Sequence, residues 1–177
     1  MNKHKGEARG CAPAEKPASA QFVITRAYKA PRALVFRAWT EGERLRQWWG
    51  PKGFAMPFFK TEPRPGGILH YCMRSPEGKD FWGRGVYLEV DAPERLVFAD
   101  SFSNEKGDLV PPGEYGMGPE WPDETIVTVT FHEKDGGTEV KFDGGVSEAL
   151  AKQQQADKGW NESFDRLEEY LKREAAE

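Results

Sequence analysis

Five polar side chains, Tyr71, Arg84, Glu89, Asp100 and Tyr115, are the candidates to give a small-molecule pocket a hydrogen-bonding or acid–base end. Proton transfer needs such groups within hydrogen-bond reach of a bound substrate, and spacing along the chain does not establish that reach. Arg84 and Glu89 sit in a strand pattern, where a cross-strand surface charge is the plainer reading. His70 and Cys72 alternate as H-x-C on one strand face, but no third ligand lies nearby, so no metal is expected. There is no G-x-S-x-G, no H-E-x-x-H and no phosphate loop; the Gly-rich PRPGG at 63–67 is followed by a strand pattern and reads as a tight turn. No cofactor and no fixed catalytic set are expected.

Apolar residues offer a second group of candidates, for walls rather than chemistry. Trp48 and Trp49 pack short helices onto a sheet, or one of them stands at a pocket wall, where large stiff aromatic surfaces suit apolar ligands. Leu69, Tyr71 and Met73 share one face of a strand, opposite Ile68, His70, Cys72 and Arg74. The first set is broader and is taken as the inward one, either as plain core or as cavity lining. Trp160 and Phe164 face the sheet from a long helix. Met117 and Trp121 lie in a polar loop, where large apolar side chains need cover. The ligand-binding candidates are therefore Trp49, Leu69, Tyr71, Met73, Trp121, Trp160 and Phe164.

The elements that must hold these residues follow from periodicity. Gln21 to Tyr28 alternates and is rich in β-branched residues, which predicts a strand. Pro31 suits a first helical position, and Leu34, Val35, Ala38 and Trp39 follow at helical spacing to about Trp39. Thr40 with Glu43 reads as a capping box for a second helix ending near Gly50-Pro51. From there the period changes to two. Strands are predicted at Phe54–Thr61, Ile68–Arg74, Phe81–Val90, Arg95–Phe102, Glu124–Glu133 and Thr138–Asp143, joined by short turns. Residues 103–123 interrupt this series. Their prolines and glycines forbid a helix or a central strand, and a loop of that length is often functional. It is expected to fold back as a lid over a cavity, anchored by Trp121. A long helix starts at Ser147, and Trp160, Phe164, Leu167 and Leu171 form its apolar stripe. Gly159 within it costs about 1 kcal/mol against Ala, and either a close approach, the ligand space or a bend accounts for it.

Short hairpin links imply an antiparallel sheet, and one amphipathic helix must bury its stripe on that sheet. The predicted fold is α+β of the helix-grip type. A curved sheet of six or seven strands wraps a long C-terminal helix, with two short helices after the first strand. The sheet has more apolar positions than one helix covers, so a cavity between them is expected.

The bulk numbers agree with one domain. The chain has 177 residues, 38% hydrophobic and 31% charged, with a net charge of −4. Its basic residues are scattered, which argues against nucleic acid as a partner. No apolar run approaches the roughly 20 residues of a membrane span, so no membrane partner is expected. Two cysteines, Cys11 and Cys72, make no disulfide framework and fit a cytoplasmic location. Residues 1–20 lack an apolar stretch after Lys3 and Lys5 and read as a flexible tail, leaving the domain at 21–174. A homodimer is compatible with the sequence.

Five segments in register carry a family resemblance: APRALVFRAWTEGERLRQWWGP, TEPRPGGILHYCMRSPEG, APERLVF, ETIVTVTF with GGTEV, and GWNESFDRLEEYL. The chain resembles the SRPBCC superfamily, which includes START and birch-pollen-allergen-like domains, over about Gln21 to Lys172. Within it, the chain looks like the branch named for homology to the activator of the heat-shock protein 90 ATPase. The resemblance implies a pocket for a small hydrophobic or aromatic molecule between sheet and helix, and binding without chemistry is the leading expectation. Some relatives are polyketide cyclases or aromatases, so a cyclase or dehydratase is the alternative. A chaperone-interacting surface is a third. The resemblance brings no catalytic residues with it.

Overall fold

Alternating apolar and polar residues make seven strands, and short turns set four of the six neighbouring pairs antiparallel, β2–β3, β3–β4, β4–β5 and β6–β7. The computed structural model describes residues 20–176, so the expected tail at 1–20 lies outside the described residues except for Ala20. The strands are β1 (Gln21–Tyr28), β2 (Ala55–Thr61), β3 (Ile68–Arg74), β4 (Asp80–Asp91), β5 (Arg95–Phe102), β6 (Thr125–Lys134) and β7 (Gly137–Ser147). They form one antiparallel sheet in the order β1-β7-β6-β5-β4-β3-β2. Between β1 and β2 come helices α1 (Arg32–Thr40) and α2 (Gly42–Leu45); after β7 come α3 (Glu148–Gln153) and α4 (Ala156–Ala175). This is the helix-grip α+β arrangement the patterning predicts.

The core lies between α4, α1 and the sheet. Phe164, Leu167, Tyr170 and Leu171 are the buried apolar residues of α4. They meet Phe22 and Ile24 of β1, Val140 and Phe142 of β7, and Val129 and Phe131 of β6, all in the same core cluster. Trp39 and Trp48 close one end, their ring centres 4.8 Å apart, and the Trp48 indole N–H donates to the Ala38 carbonyl at 2.9 Å. Each such side chain contributes roughly 1.5–3 kcal/mol through removal of its apolar surface from water.

Four local expectations need correction. Thr40 caps nothing; its hydroxyl donates to the Phe36 carbonyl at 3.0 Å, inside α1, and α2 is a single turn preceded by Glu41. Pro31 stands just before α1 in extended conformation, not inside it. The last strand runs on to Ser147, because Gly145 adopts φ +75°, where its bare Cα lies close against the Ile126 backbone. The C-terminal helix is broken. Ser147 does cap α3, accepting from the Leu150 amide at 3.1 Å. The chain then leaves helical geometry at Gln154, Gln155 takes the left-handed conformation at φ +60°, and α4 begins afresh. Neither glycine nor proline marks that break.

Among the described residues no helix is long and apolar enough to cross a membrane. No group of three or more His, Cys, Asp or Glu side chains among them would hold a metal ion.

Candidate functional site

The core is not continuous along the helix. Beyond Phe164, toward the start of α4, the sheet and helix separate around a cavity of about 280 Å³. Its floor comes from β3, β4 and β5, one wall from Trp49 and another from α4. Its mouth is formed by the loop between β5 and β6.

Strand β3 turns Leu69, Tyr71 and Met73 toward the helix, as the pattern predicts. Tyr71 and Met73 reach the cavity; Leu69 is buried beneath its floor and does not. The Tyr71 ring leans across the sheet, and a glycine of β4 makes this possible. Gly83 lies opposite Tyr71, and a Cβ there would sit 2.3 Å from the Tyr71 hydroxyl oxygen. Gly85 lies opposite Asp100 of β5. The bare backbone at 83 is a gutter through which a β3 side chain reaches a β5 side chain, while Gly85 is covered by Leu69. Glycine weakens a strand interior, and close approach is the usual reason for keeping it there.

In that gutter the Tyr71 hydroxyl donates to Asp100, at 3.3 Å from Oδ1 and 3.4 Å from Oδ2. Asp100 is half-buried and opens on the cavity. Burial disfavours its charged form and pushes its pKa up to about 7, although the bonds from Tyr71 and the Ser101 backbone pull the other way. Burial, then the neighbouring Asp100 charge, pushes the Tyr71 phenol well up, so it stays a neutral donor. An acid poised near neutrality beside a phenol is able to bind a polar head group or to exchange a proton with one.

Aromatic rings surround the pair. Trp49 packs edge-on to Tyr71 at 5.4 Å and to Trp160 at 5.3 Å between ring centres. Arg166 holds the Trp49 segment in place, donating from one guanidinium nitrogen to the carbonyls of Trp49, Gly50 and Pro51 at 2.9–3.2 Å. On α4, Gly159, Trp160 and Ser163 line the space. A Cβ on Gly159 would meet only Pro51, at 3.6 Å, so this glycine faces the cavity rather than a tight contact or a bend. Phe164, the seventh wall candidate, packs against Trp39 and Phe142 in the core and does not line the cavity.

The loop at 103–123 covers both faces of the sheet. Its first part lies on the outer face, where a His70 ring nitrogen pairs with the Asn104 carbonyl at 3.2 Å and Arg84 donates to the Gly107 carbonyl at 3.3 Å. Its second part contains a single 3-10 turn at Pro112–Tyr115, against the expectation of no helical structure; proline opens it and Gly116, at φ +85°, ends it. The Tyr115 hydroxyl donates to the Ser103 carbonyl at 2.6 Å, which aims its ring between Phe81 and Phe102. Met117 and Trp121 then reach the cavity. The break between α3 and α4 has a use here, since the Gln154 side chain accepts from the Gly118 amide at 2.8 Å and ties the loop to the helix.

Of the seven wall candidates the structure thus brings Trp49, Tyr71, Met73, Trp121 and Trp160 together and leaves Leu69 and Phe164 in the core. Of the five polar candidates it gathers Tyr71, Asp100 and Tyr115. Arg84 is on the outer face, and Glu89 forms an exposed pair with Arg95 at 3.1 Å. Sequence reasoning missed Gly83 and Gly85, for which the signal was G-R-G inside a strand. It also missed Phe81, Phe102, Thr125 and Ser163, which carried no signal beyond their strand or helix pattern.

A family model described as "Activator of Hsp90 ATPase homolog 1-like protein" matches residues 29–172. A comparison with curated proteins finds no match. Among solved structures, a protein from Nitrosomonas europaea superposes with a TM-score of 0.73 at 25% identity, covering 92% of this chain and 100% of its own. A Mycobacterium smegmatis protein gives 0.68 at 27% identity, over 84% of this chain and 86% of that one. One from Staphylococcus epidermidis gives 0.72 at 25% identity, over 90% and 93%.

Proposed function

The chain belongs to the Activator of Hsp90 ATPase homolog 1-like family, and on that premise we propose that it binds a small hydrophobic or aromatic molecule between the sheet and the C-terminal helix. The observation that carries this reading is the cavity of about 280 Å³ with its aromatic walls. That volume approaches the roughly 300 Å³ at which ligand pockets begin, and exceeds the roughly 150 Å³ that accommodates benzene. A bicyclic aromatic body is the right size. Packing it there removes both its own apolar surface and that of the walls from water.

The test is saturable binding of an uncharged fluorescent probe, phenylnaphthylamine, compared with its binding to Gly159→Leu. The leucine projects into the cavity without backbone strain, and replacing glycine inside a helix favours the helix by roughly 0.5–1 kcal/mol. The expected result is strong probe fluorescence with the natural chain and none with a fully folded Gly159→Leu. Equal binding to both, or none to either, counts against the cavity as a binding site.

A second reading, a cyclase- or dehydratase-like enzyme, is favoured by one observation, the Tyr71–Asp100 pair at the cavity floor. Its chemistry would be proton exchange with a carbonyl compound held by the aromatic walls.

A further inference from the structure

The cavity's charge is one-sided. Its charged lining residues are Asp100 at the floor and Asp123, exposed at the mouth; no Lys, Arg or His lines it. Cations close to the lining have other partners: the Lys79 ammonium lies over the ring of Phe81, 5.0 Å from its centre. Arg166 points at the carbonyls of Trp49, Gly50 and Pro51, and Lys52 pairs with Asp165 at 3.2 Å. Around Asp100 the neighbouring elements supply no countercharge: Gly85 from β4, Thr125 from β6, Tyr71 from β3, and Gly159, Trp160 and Ser163 from α4. Among the described residues the Tyr71 hydroxyl is the one side chain that hydrogen-bonds Asp100, and both its distances are long for an O–H···O bond to a carboxylate. Asp100 therefore has acceptor capacity left over, aimed into an aromatic cage.

We propose that the cavity selects its ligand by charge, taking an apolar or aromatic molecule that carries a protonated amine, with the Asp100 carboxylate as the counter-ion and the surrounding rings as the second support of the cation. This rests on the binding reading above and specifies the ligand class. The ammonium supplies the strong donor that Asp100 lacks, and Trp49, Trp160 and Tyr115, which line the same cavity, offer aromatic rings whose quadrupoles attract a cation. A carboxylate ligand meets two acids, no base and little water, where like charges repel most. A neutral ligand leaves Asp100 free to stay protonated. The raised pKa of Asp100, about 7, adds a signature. An ammonium beside it favours the carboxylate form, so amine binding near neutral pH expels the proton Asp100 holds, about half a proton per ligand at pH 7.

The experiment measures binding of naphthylmethylamine, naphthylmethanol and naphthoic acid, three ligands with one aromatic body, to the full chain and to Asp100→Asn by calorimetry in buffers of different ionisation heat. In the natural chain the amine is expected to bind at least about tenfold tighter than the alcohol and the acid at least about tenfold weaker, with proton release for the amine alone. In Asp100→Asn the amine's advantage over the alcohol and its proton release disappear, while an unchanged near-ultraviolet circular dichroism spectrum shows the fold intact. If the alcohol binds and the amine gains nothing over it, or if the amine's gain survives Asp100→Asn, the charge rule is overturned and the binding reading stands. If none of the three binds the natural chain, both fall.

Discussion

Helix α4 rests on two different surfaces. From Phe164 onward it lies on the filled core, where Phe164 meets Trp39 of α1, Phe142 of β7 and Trp160 with ring centres 5.3–5.9 Å apart. Before Phe164 its inner side borders the cavity, where Gly159 and Ser163 stand beside Trp160 and leave space that larger side chains would fill. Trp48 and Trp49, adjacent in the chain, divide between the two: Trp48 is fully enclosed, whereas Trp49 is both core and cavity wall. One half of this sandwich is arranged for stability. The other gives up packing for space, and that space holds a half-buried acid whose charge opposes folding. Small residues on the helix side, Gly159 and Ser163, are what leave the hollow open there.

The comparison breaks most directly at Phe164. Phe164→Ala is expected to destabilise the protein by about 3–5 kcal/mol in chemical denaturation, the cost of a large cavity in a filled core. A loss below about 1 kcal/mol would mean that this half too is loosely packed.

The acid of the hollow half gives the next effect. The pKa of Asp100 is raised in the folded protein, to about 7 from an ordinary 3.8, so the folded state holds more protons than the unfolded one between these values. Stability contributed by this residue therefore falls as pH rises from about 4 through 7, by at most about 4 kcal/mol. Glu41, Asp80, Glu139 and Asp165, whose pKa values are lowered by basic partners, slope the opposite way. The difference between the natural chain and Asp100→Asn isolates the first effect. Denaturation at pH 5 and pH 8 should show Asp100→Asn gaining relative stability at the higher pH, and parallel curves would remove the half-buried, cation-free acid from the description.

The smallest effect belongs to the loop. Trp121 is half-buried and packs on the core's edge at the cavity mouth. Trp121→Ala should cost little stability and raise both the entry and exit rates of a bound probe in stopped flow, because the anchor of a lid is held by a modest apolar contact. A stability loss with unchanged rates would make the segment an edge cover instead.

Much of the fold was legible in the chain. Period-two alternation located all seven strands, and the Trp160–Leu171 stripe located the helix that covers them. The inward set of β3 followed from its larger side chains. The corrections fall where local signals are weak or misleading. Gln154 and Gln155 carry no breaker, yet the helix stops there, where the Gln154 side-chain oxygen accepts from the Gly118 amide of a loop 36 residues away. Thr40 and Glu43 have the spacing of a capping box, but the α1 backbone offers Thr40 a carbonyl first.

The candidate site divides in the same way. Sequence alone determined that Trp49, Tyr71, Met73, Trp121 and Trp160 needed apolar cover, because side-chain chemistry and periodicity are local properties. It also supplied Asp100 and Tyr71 as polar groups, with nothing to join them across 29 positions. Only the tertiary structure decided that join. Strand register set Gly83 against Tyr71 and Gly85 against Asp100, and the missing side chain at Gly83 lets a phenol cross a strand to a carboxylate. Register is a property of paired strands rather than of either strand's pattern. For that reason the walls of the cavity were readable in advance and its polar floor was not.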